Sequence, residues 1–248
     1  MHYIYATQQL NYEDYASGRV LYNMPGTAPF PARLGSEIFE RCKAALASSG
    51  VNGPYTLYDP FCGGGYLLTV LGFLHGRDIK RIVASDIDNQ MVCLAMRNLN
   101  LLNAQGIKQR IEQIEKLLKE YKKESHKNAL DSAIRLTRTV ESRKGDMELD
   151  CFCANALNLG EQAGRLDTVD VVITDIPYGR ITNWSDESSG SNHAELFLES
   201  LYHAIPSHSI VAVVSDKKQK VKSGLYKRMD YFSHGKRKVT IFKFQTVN

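Results

Sequence analysis

Residues 59–72 read DPFCGGGYLLTVLG, and the order of residue types in that stretch decides the fold. The strand-like run YTLYDP (55–60) ends in an acid and a proline, three glycines follow a cysteine, and an apolar helix-like segment starts directly behind them. Glycine is needed where the backbone takes positive φ, or where a ligand must approach without a Cβ in the way. A strand, a glycine turn and a helix therefore predict a nucleoside cofactor at the carboxyl end of the first strand. A dinucleotide fingerprint would need its third glycine where Leu68 stands, which disfavours hydride chemistry with a nicotinamide. A triphosphate-binding loop needs glycine, lysine and a hydroxyl residue in succession, and no such run exists. A tight turn without a ligand is the alternative for the glycines alone.

The next strand-like run, RIVASDID (81–88), ends in acids, and Asp86 lies 23 residues after Gly63. A carboxylate in that place can accept from both ribose hydroxyls, so Asp86 is the expected ribose ligand. Asp88 is the substitute, or simply the cap of the helix behind it. Asp59 beside the glycines attracts the cationic methionine part of a sulfonium cofactor.

Working outward, strand and helix patterns alternate. NQMVCLAMRNLNLL places Met91, Leu94, Ala95, Leu99 and Leu102 at helical spacing, which predicts one buried face. Residues 105–144 interrupt the series with Ile107, Ile111, Ile114, Leu117, Leu118 and Tyr121, the stripe of an amphipathic helix with a second helix behind it. The segment is too short for a coiled coil and is expected as an insertion on the surface of the same domain. LDCFCAN, a short helix, VDVVITDIPYG, the helix HAELFLESLYHAI and the strand SIVAVVSD then resume the alternation. YKRMDYFS and KVTIFKFQ predict a hairpin around HGK. Before all of this, residues 1–54 form an N-terminal helical extension, in which SEIFERCKAALASSG has Ser36 as N-cap and Gly50 as stop. Such alternation predicts an α/β fold with a parallel sheet covered on both faces, in a single domain over 1–248.

The 248 residues carry a net charge of +4, unevenly placed. Residues 216–243 hold ten Lys or Arg against Asp216 and Asp230, and residues 105–144 hold eleven against six acids, so the remainder is acidic. Two basic blocks on an acidic body predict an anionic partner that touches part of the surface; solvated helix faces are the alternative. The opening twenty residues lack the pattern of a secretory leader, and no apolar stretch approaches membrane-spanning length. Cys42, Cys62, Cys93, Cys151 and Cys153 are an odd set without paired zinc-ligand spacing, read as buried thiols of a cytoplasmic protein. His75, His193, His203 and His208 show no ligand spacing, and no metal is assigned.

A second stretch carries the chemistry: TDIPYG (174–179), directly after VDVVI (169–173). An exocyclic amine on a nucleobase is a poor nucleophile, because its lone pair is delocalised into the ring. A carboxylate and a backbone carbonyl that accept from the amine localise that pair and aim it at an electrophilic methyl. Asp175 supplies the carboxylate. Pro177, with no N–H and a fixed φ, helps turn the preceding carbonyl inward. Tyr178 can stack on the base, worth about 1–3 kcal/mol. A strand closed by a type I or II turn is the plain alternative.

DPFCGGGYLLTVLGFLHG, ASDID, TDIPYG and FPARLGSEIFERC together resemble the class I S-adenosylmethionine-dependent methyltransferases of the amino-methylating kind. They look more closely like the avilamycin-resistance ribosomal RNA methyltransferase family, directed at guanosine of the large-subunit RNA. The resemblance covers most of the chain, including the helical insertion and SDKKQKV (215–221). It implies a Rossmann-like sheet of seven strands with an antiparallel last strand, S-adenosylmethionine as cofactor, and 23S ribosomal RNA or the large ribosomal subunit as partner. The expected cofactor contacts are Asp59, Pro60, Cys62, Gly63, Gly65, Asp86, Ile87, Asn155, Ala156 and Asp175; catalysis is expected from Asp175, Pro177 and Tyr178. Two positions depart from the common pattern. Ile176 stands where the commonest amine motif has proline, and Asn155 stands where many such enzymes place Asp, although its amide can still bond an adenine edge.

The expected reaction is an in-line displacement in which positioning supplies much of the rate. A paired base cannot enter such a site, so the nucleotide is flipped out or single-stranded. The polar loop RITNWSDESSGSNH (180–193) is a candidate lid, with Trp184 stacking on RNA or anchoring the loop. Lys217, Lys218, Lys220 and Lys222 are expected to track phosphates. Arg33 sits either near the methionine end of the cofactor or in an N-terminal salt bridge. A tRNA guanine N2 or adenine N6 enzyme, and an inactive RNA-binding module, are the competing functions, and a monomer is the default.

Overall fold

The computed structural model describes residues 3–143, 145–177 and 193–245. Its strands are β1 (Tyr55–Asp59), β2 (Ile79–Asp86), β3 (Glu148–Cys153), β4 (Val171–Asp175), β5 (Ile210–Asp216), β6 (Tyr226–His234) and β7 (Arg237–Phe244). They form one seven-stranded sheet in the order β3-β2-β1-β4-β5-β7-β6. β1 to β5 pair in parallel, and β7 runs antiparallel to both β5 and β6. The chain lays down β1, β2 and β3 in one direction and returns to place β4 on the other side of β1. The crevice between the carboxyl ends of β1 and β4 is therefore the topological switch point, where α/β sheets hold their ligands.

The helices are α1 (Ala32–Ser48), α2 (Tyr66–Leu74), α3 (Asn89–Leu99), α4 (Ala104–Tyr121), α5 (Glu124–Glu141), α6 (Ala163–Leu166) and α7 (His193–Ala204). Side chains alternate across the sheet. Leu57, Ile82, Ile173, Ala212 and Ile241 join one core with Phe39 of α1 and Leu68 of α2. Tyr58, Val83, Val172, Val213 and Phe242 join a second core with Phe197 and Leu201 of α7. Burial on both faces explains why the strands read as nearly unbroken apolar runs.

The insertion is a helical hairpin, α4 and α5. Ile107, Ile114, Ala133, Leu136 and Val140 are buried in the same core as α2. The apolar stripe of α4 outruns that core: Leu117 is 38% exposed and Tyr121 51%.

Several local expectations are corrected. α1 begins at Ala32 behind Pro31, and Ser36 lies inside it, its hydroxyl paired with His75 Nε2 at 2.9 Å. β2 starts two residues early and ends at Asp86, so Ile87 and Asp88 leave the strand. Cys93 and Cys153 are exposed and Cys151 is half-buried, so only Cys42 and Cys62 are buried thiols. Arg33 is committed to the chain start: it donates to the Ala6 and Thr7 carbonyls at 2.9 Å and lies 4.0 Å over the Tyr3 ring. The buried carboxylate of Glu37 accepts from the amides of Ile4, Tyr5 and Ala6, so the first residues are strapped to α1. Among the described residues no helix is long and apolar enough to cross a membrane.

Candidate active site

The glycine turn is stitched to the end of β2, with Cys62 N donating to Ser85 O at 3.0 Å and Gly63 N to Asp86 Oδ2 at 2.9 Å. Gly63 and Gly65 take φ of 50° and 72°. A Cβ on Gly65 would lie 2.9 Å from the Ala95 Cα of α3, and one on Gly64 2.7 Å from a Leu94 methyl. A Cβ on Gly63 would meet nothing within 4 Å. The second and third glycines thus let α3 pack against the turn, while the first faces open space. Pro60, Cys62 and Gly65 are buried within the turn.

Asp59 is 3% exposed, and its Oδ1 accepts from Thr174 Oγ1 at 2.6 Å and Phe61 N at 3.1 Å. Burial pushes its carboxyl up to about 7, the hydrogen bonds oppose this, and the charges of Asp86 and Asp175 add to it. Burial also raises Asp86, although the amides of Asp88 and Gly63 donate to it. Asp88 caps α3 by accepting from Gln90 N at 2.8 Å, the plain alternative foreseen for it. Ile87, an apolar residue 53% exposed, stands beside Asp86. Past β3, the exposed Asn155 accepts from Leu157 N at Oδ1, 2.9 Å away, and Ala156 is buried.

On the neighbouring strand, Asp175 closes β4. Ile176 is fully buried, and its N–H donates to Val214 O of β5 at 3.0 Å. Proline, which has no N–H, could not make that bond, so the departure from the common motif extends the pairing of β4 with β5 by one residue. Pro177 O accepts from Gln219 Nε2 at 3.5 Å, which ties the corner to the loop carrying Lys217, Lys218, Lys220 and Lys222, all exposed. Tyr178, Gly179 and residues 180–192 of the expected lid, Trp184 among them, lie outside the described residues.

The bond from Thr174 of β4 to Asp59 of β1 brings the glycine turn and the Asp175 corner to one rim of the sheet. Arg237, which sequence reasoning missed, also reaches this rim: its Nε is 3.5 Å from Asp175 Oδ2. Its only sequence signal was the hairpin around HGK, which gives no hint of which strand end it faces. A separate convergence of Glu40, His75 and Asp78 is filled from within by the Lys43 ammonium, 3.0 Å from Glu40 and 2.6 Å from Asp78.

Seven strands in this order, one of them reversed, with a glycine turn and an acid corner at the switch point, define a class I methyltransferase fold. Residues 1–237 match the family model described as rRNA methyltransferase AviRa. The chain belongs to the AviRa rRNA methyltransferase family. It is 36% identical over 246 residues to the 23S rRNA (guanine(2535)-N(1))-methyltransferase of Streptomyces viridochromogenes, covering 97% of this chain and 95% of that one. Two solved structures of the rRNA methyltransferase aviRa from the same organism, at 2.4 Å and 1.5 Å, each superpose with a TM-score of 0.86 at 34% identity, covering 98% of this chain and 96% of theirs.

Proposed function

We propose that this chain transfers the methyl group of S-adenosylmethionine to N1 of a guanine in 23S ribosomal RNA, acting in the cytoplasm as one domain over residues 1–248. The observation that carries this is the 2.6 Å bond between Thr174 and Asp59, because it sets the glycine turn against the Asp175 corner. The donor set suits the cofactor. Three carboxylates, one of them buried, converge where a cation would sit, and an exposed isoleucine stands where a flat apolar face would rest. When bound, the cofactor would supply an electrophilic methyl on a sulfonium centre, with a neutral thioether as the leaving group.

Asp59 would hold the cationic methionine portion, Asp86 the ribose hydroxyls, Ile87 and Ala156 the adenine faces, and Asn155 the adenine edge. The choice of ring atom is drawn from the curated relative, whose name specifies N1. N1 of guanine carries an amide-like proton, unlike the exocyclic amine that the TDIPYG pattern alone suggests. Asp175 would accept that proton, Pro177 would help turn the preceding carbonyl toward the base, and Tyr178 is proposed to stack on it. The target nucleotide is flipped out, and the lysines of residues 217–222 bear on flanking phosphates.

Nucleoside mass spectrometry of 23S rRNA, from cells with and without the gene, tests the reaction, together with calorimetry of S-adenosylmethionine on the purified chain. One N1-methylguanosine that depends on the gene is expected. A methyl on guanine N2 or on adenine would replace the ring atom. No gene-dependent methyl and no cofactor binding would remove the proposal.

A further inference from the structure

We infer that Arg237 is the residue that selects guanine, by donating from its guanidinium to O6 of the target base while Asp175 accepts from N1–H. This rests on the N1 chemistry proposed above. Arg237 opens β7, the reversed strand, so the first residue of that strand lies at the same rim as the last residues of β4 and β5. Its Cα is paired with that of Asp216 at the end of β5. The guanidinium approaches Asp175 Oδ2 to 3.5 Å and lies 5.4 Å over the Phe30 ring. Among the described residues its side chain donates no hydrogen bond, and Nε is buried without an acceptor in hydrogen-bonding geometry. Nε faces Asp175, and the side chain as a whole is still 28% exposed, so the remaining guanidinium nitrogens are open to an acceptor on a ligand.

Guanine offers an acceptor, O6, next to a donor, N1–H; adenine offers the reverse, N6 as donor next to N1 as acceptor. A guanidinium beside a carboxylate is complementary to the first edge and mismatched with the second. The pair also serves the reaction. When the N1–H bond breaks, the proton goes to the Asp175 carboxylate and the electron pair stays on the base, shared between N1 and O6. Donors aimed at O6 stabilise the charge where it develops. N1 then forms its bond to the methyl carbon as the carbon–sulfur bond breaks toward sulfur. Among the described residues, the charged or titratable groups around this pair include Asp59 of β1 with Asp86 of β2, Asp216 of β5, and His234 of β6, on which the charges of Arg237 and Arg33 both act. Burial raises the Asp59 carboxyl to about 7, and burial followed by the Arg237 charge lowers His234, so both have titrated before the alkaline limb.

The test compares wild type with Arg237→Gln and Arg237→Lys, using target RNA that carries guanine or 6-thioguanine, which keeps N1–H but replaces O6 with a weakly accepting sulfur, at the modified position. Wild type should bind the guanine RNA at least about tenfold more tightly, the worth of one polar readout of a base edge. Arg237→Gln should erase that ratio and lower kcat/KM about 10²–10³-fold at neutral pH, as removal of one oxyanion donor does. It should recover activity as alkaline pH ionises N1 unaided. Arg237→Lys should fall between the two and reports on the site if the glutamine variant fails to fold. An unchanged guanine preference, or a uniform loss with the wild-type pH profile, would overturn the assignment. So would a large loss of S-adenosylmethionine affinity in Arg237→Gln, because that places the guanidinium on the cofactor. Mass spectrometry of the wild-type product separates these outcomes from a failure of the N1 reading itself.

Discussion

Asp175 and Asp59 sit one strand apart at the same rim, yet the structure treats them differently. Asp59 is sealed under Thr174, whereas Asp175 is partly exposed and has a cation beside it. Of the two, Asp175 is the one proposed to meet the substrate base. Asp175→Asn should cut turnover about 10²–10⁴-fold, the usual worth of a proton acceptor, while calorimetry finds S-adenosylmethionine affinity within a few fold of wild type. Undiminished turnover would take Asp175 out of the reaction. The positions of Asp59, Asp86 and Asp175 were legible in the sequence because each lies at a strand end that short-range patterning marks, and that of Gly63 because it lies in a glycine turn between a strand and a helix. Arg237 was not, because its approach to Asp175 depends on the register of β7 against β5, which is set by partners far away in the chain.

At the scale of elements, α4 shows where periodicity stops being informative. Its stripe from Ile107 to Tyr121 is regular, but only the first half meets a core. Ile114→Ala should cost about 2–4 kcal/mol in urea unfolding. Tyr121→Ala should stay within about 0.5 kcal/mol; equal losses would mean that the tip is packed. The connection between β5 and β6 is the second informative element. It crosses residues 217–225 without a helix, carries four exposed lysines and touches Pro177 through Gln219. Replacing all four by glutamine should weaken RNA binding and flatten its salt dependence, by roughly 0.7–0.9 in log–log slope for each phosphate no longer neutralised. An unaltered slope would assign these lysines to solubility.

For the whole molecule, two buried carboxyls set opposite limits on stability. Burial raises Asp59 to about 7, so its contribution is fully present below the ordinary carboxylate value and is lost as pH rises through about 7. Glu37 is also penalised by burial, but three amides and Arg41 outweigh this and lower it. Its contribution is present above the ordinary value and lost as pH falls through the folded value. The ligand-free protein should therefore be most stable at mildly acidic pH. Asp59→Asn should raise Tm more at pH 8 than at pH 5, removing a slope of up to about 1.4 kcal/mol per pH unit. Glu37→Gln should shift acid unfolding to higher pH. Equal Tm changes for Asp59→Asn at both pH values would show that this carboxyl ionises normally in the folded chain.

What the sequence alone determined is local in origin. Apolar periodicity, turn glycines and strand-ending acids follow from backbone sterics and burial over a few residues, and they sufficed for the alternating elements, the switch-point turn and the acid corner. Only the tertiary structure decided who meets whom: Arg33 bonded to the chain start, Ser36 to His75 and Ile176 to Val214, with Arg237 brought to 3.5 Å from Asp175. Such pairings depend on the register of distant segments, and a polar interaction worth on the order of 1 kcal/mol leaves no periodic trace in the residues around it.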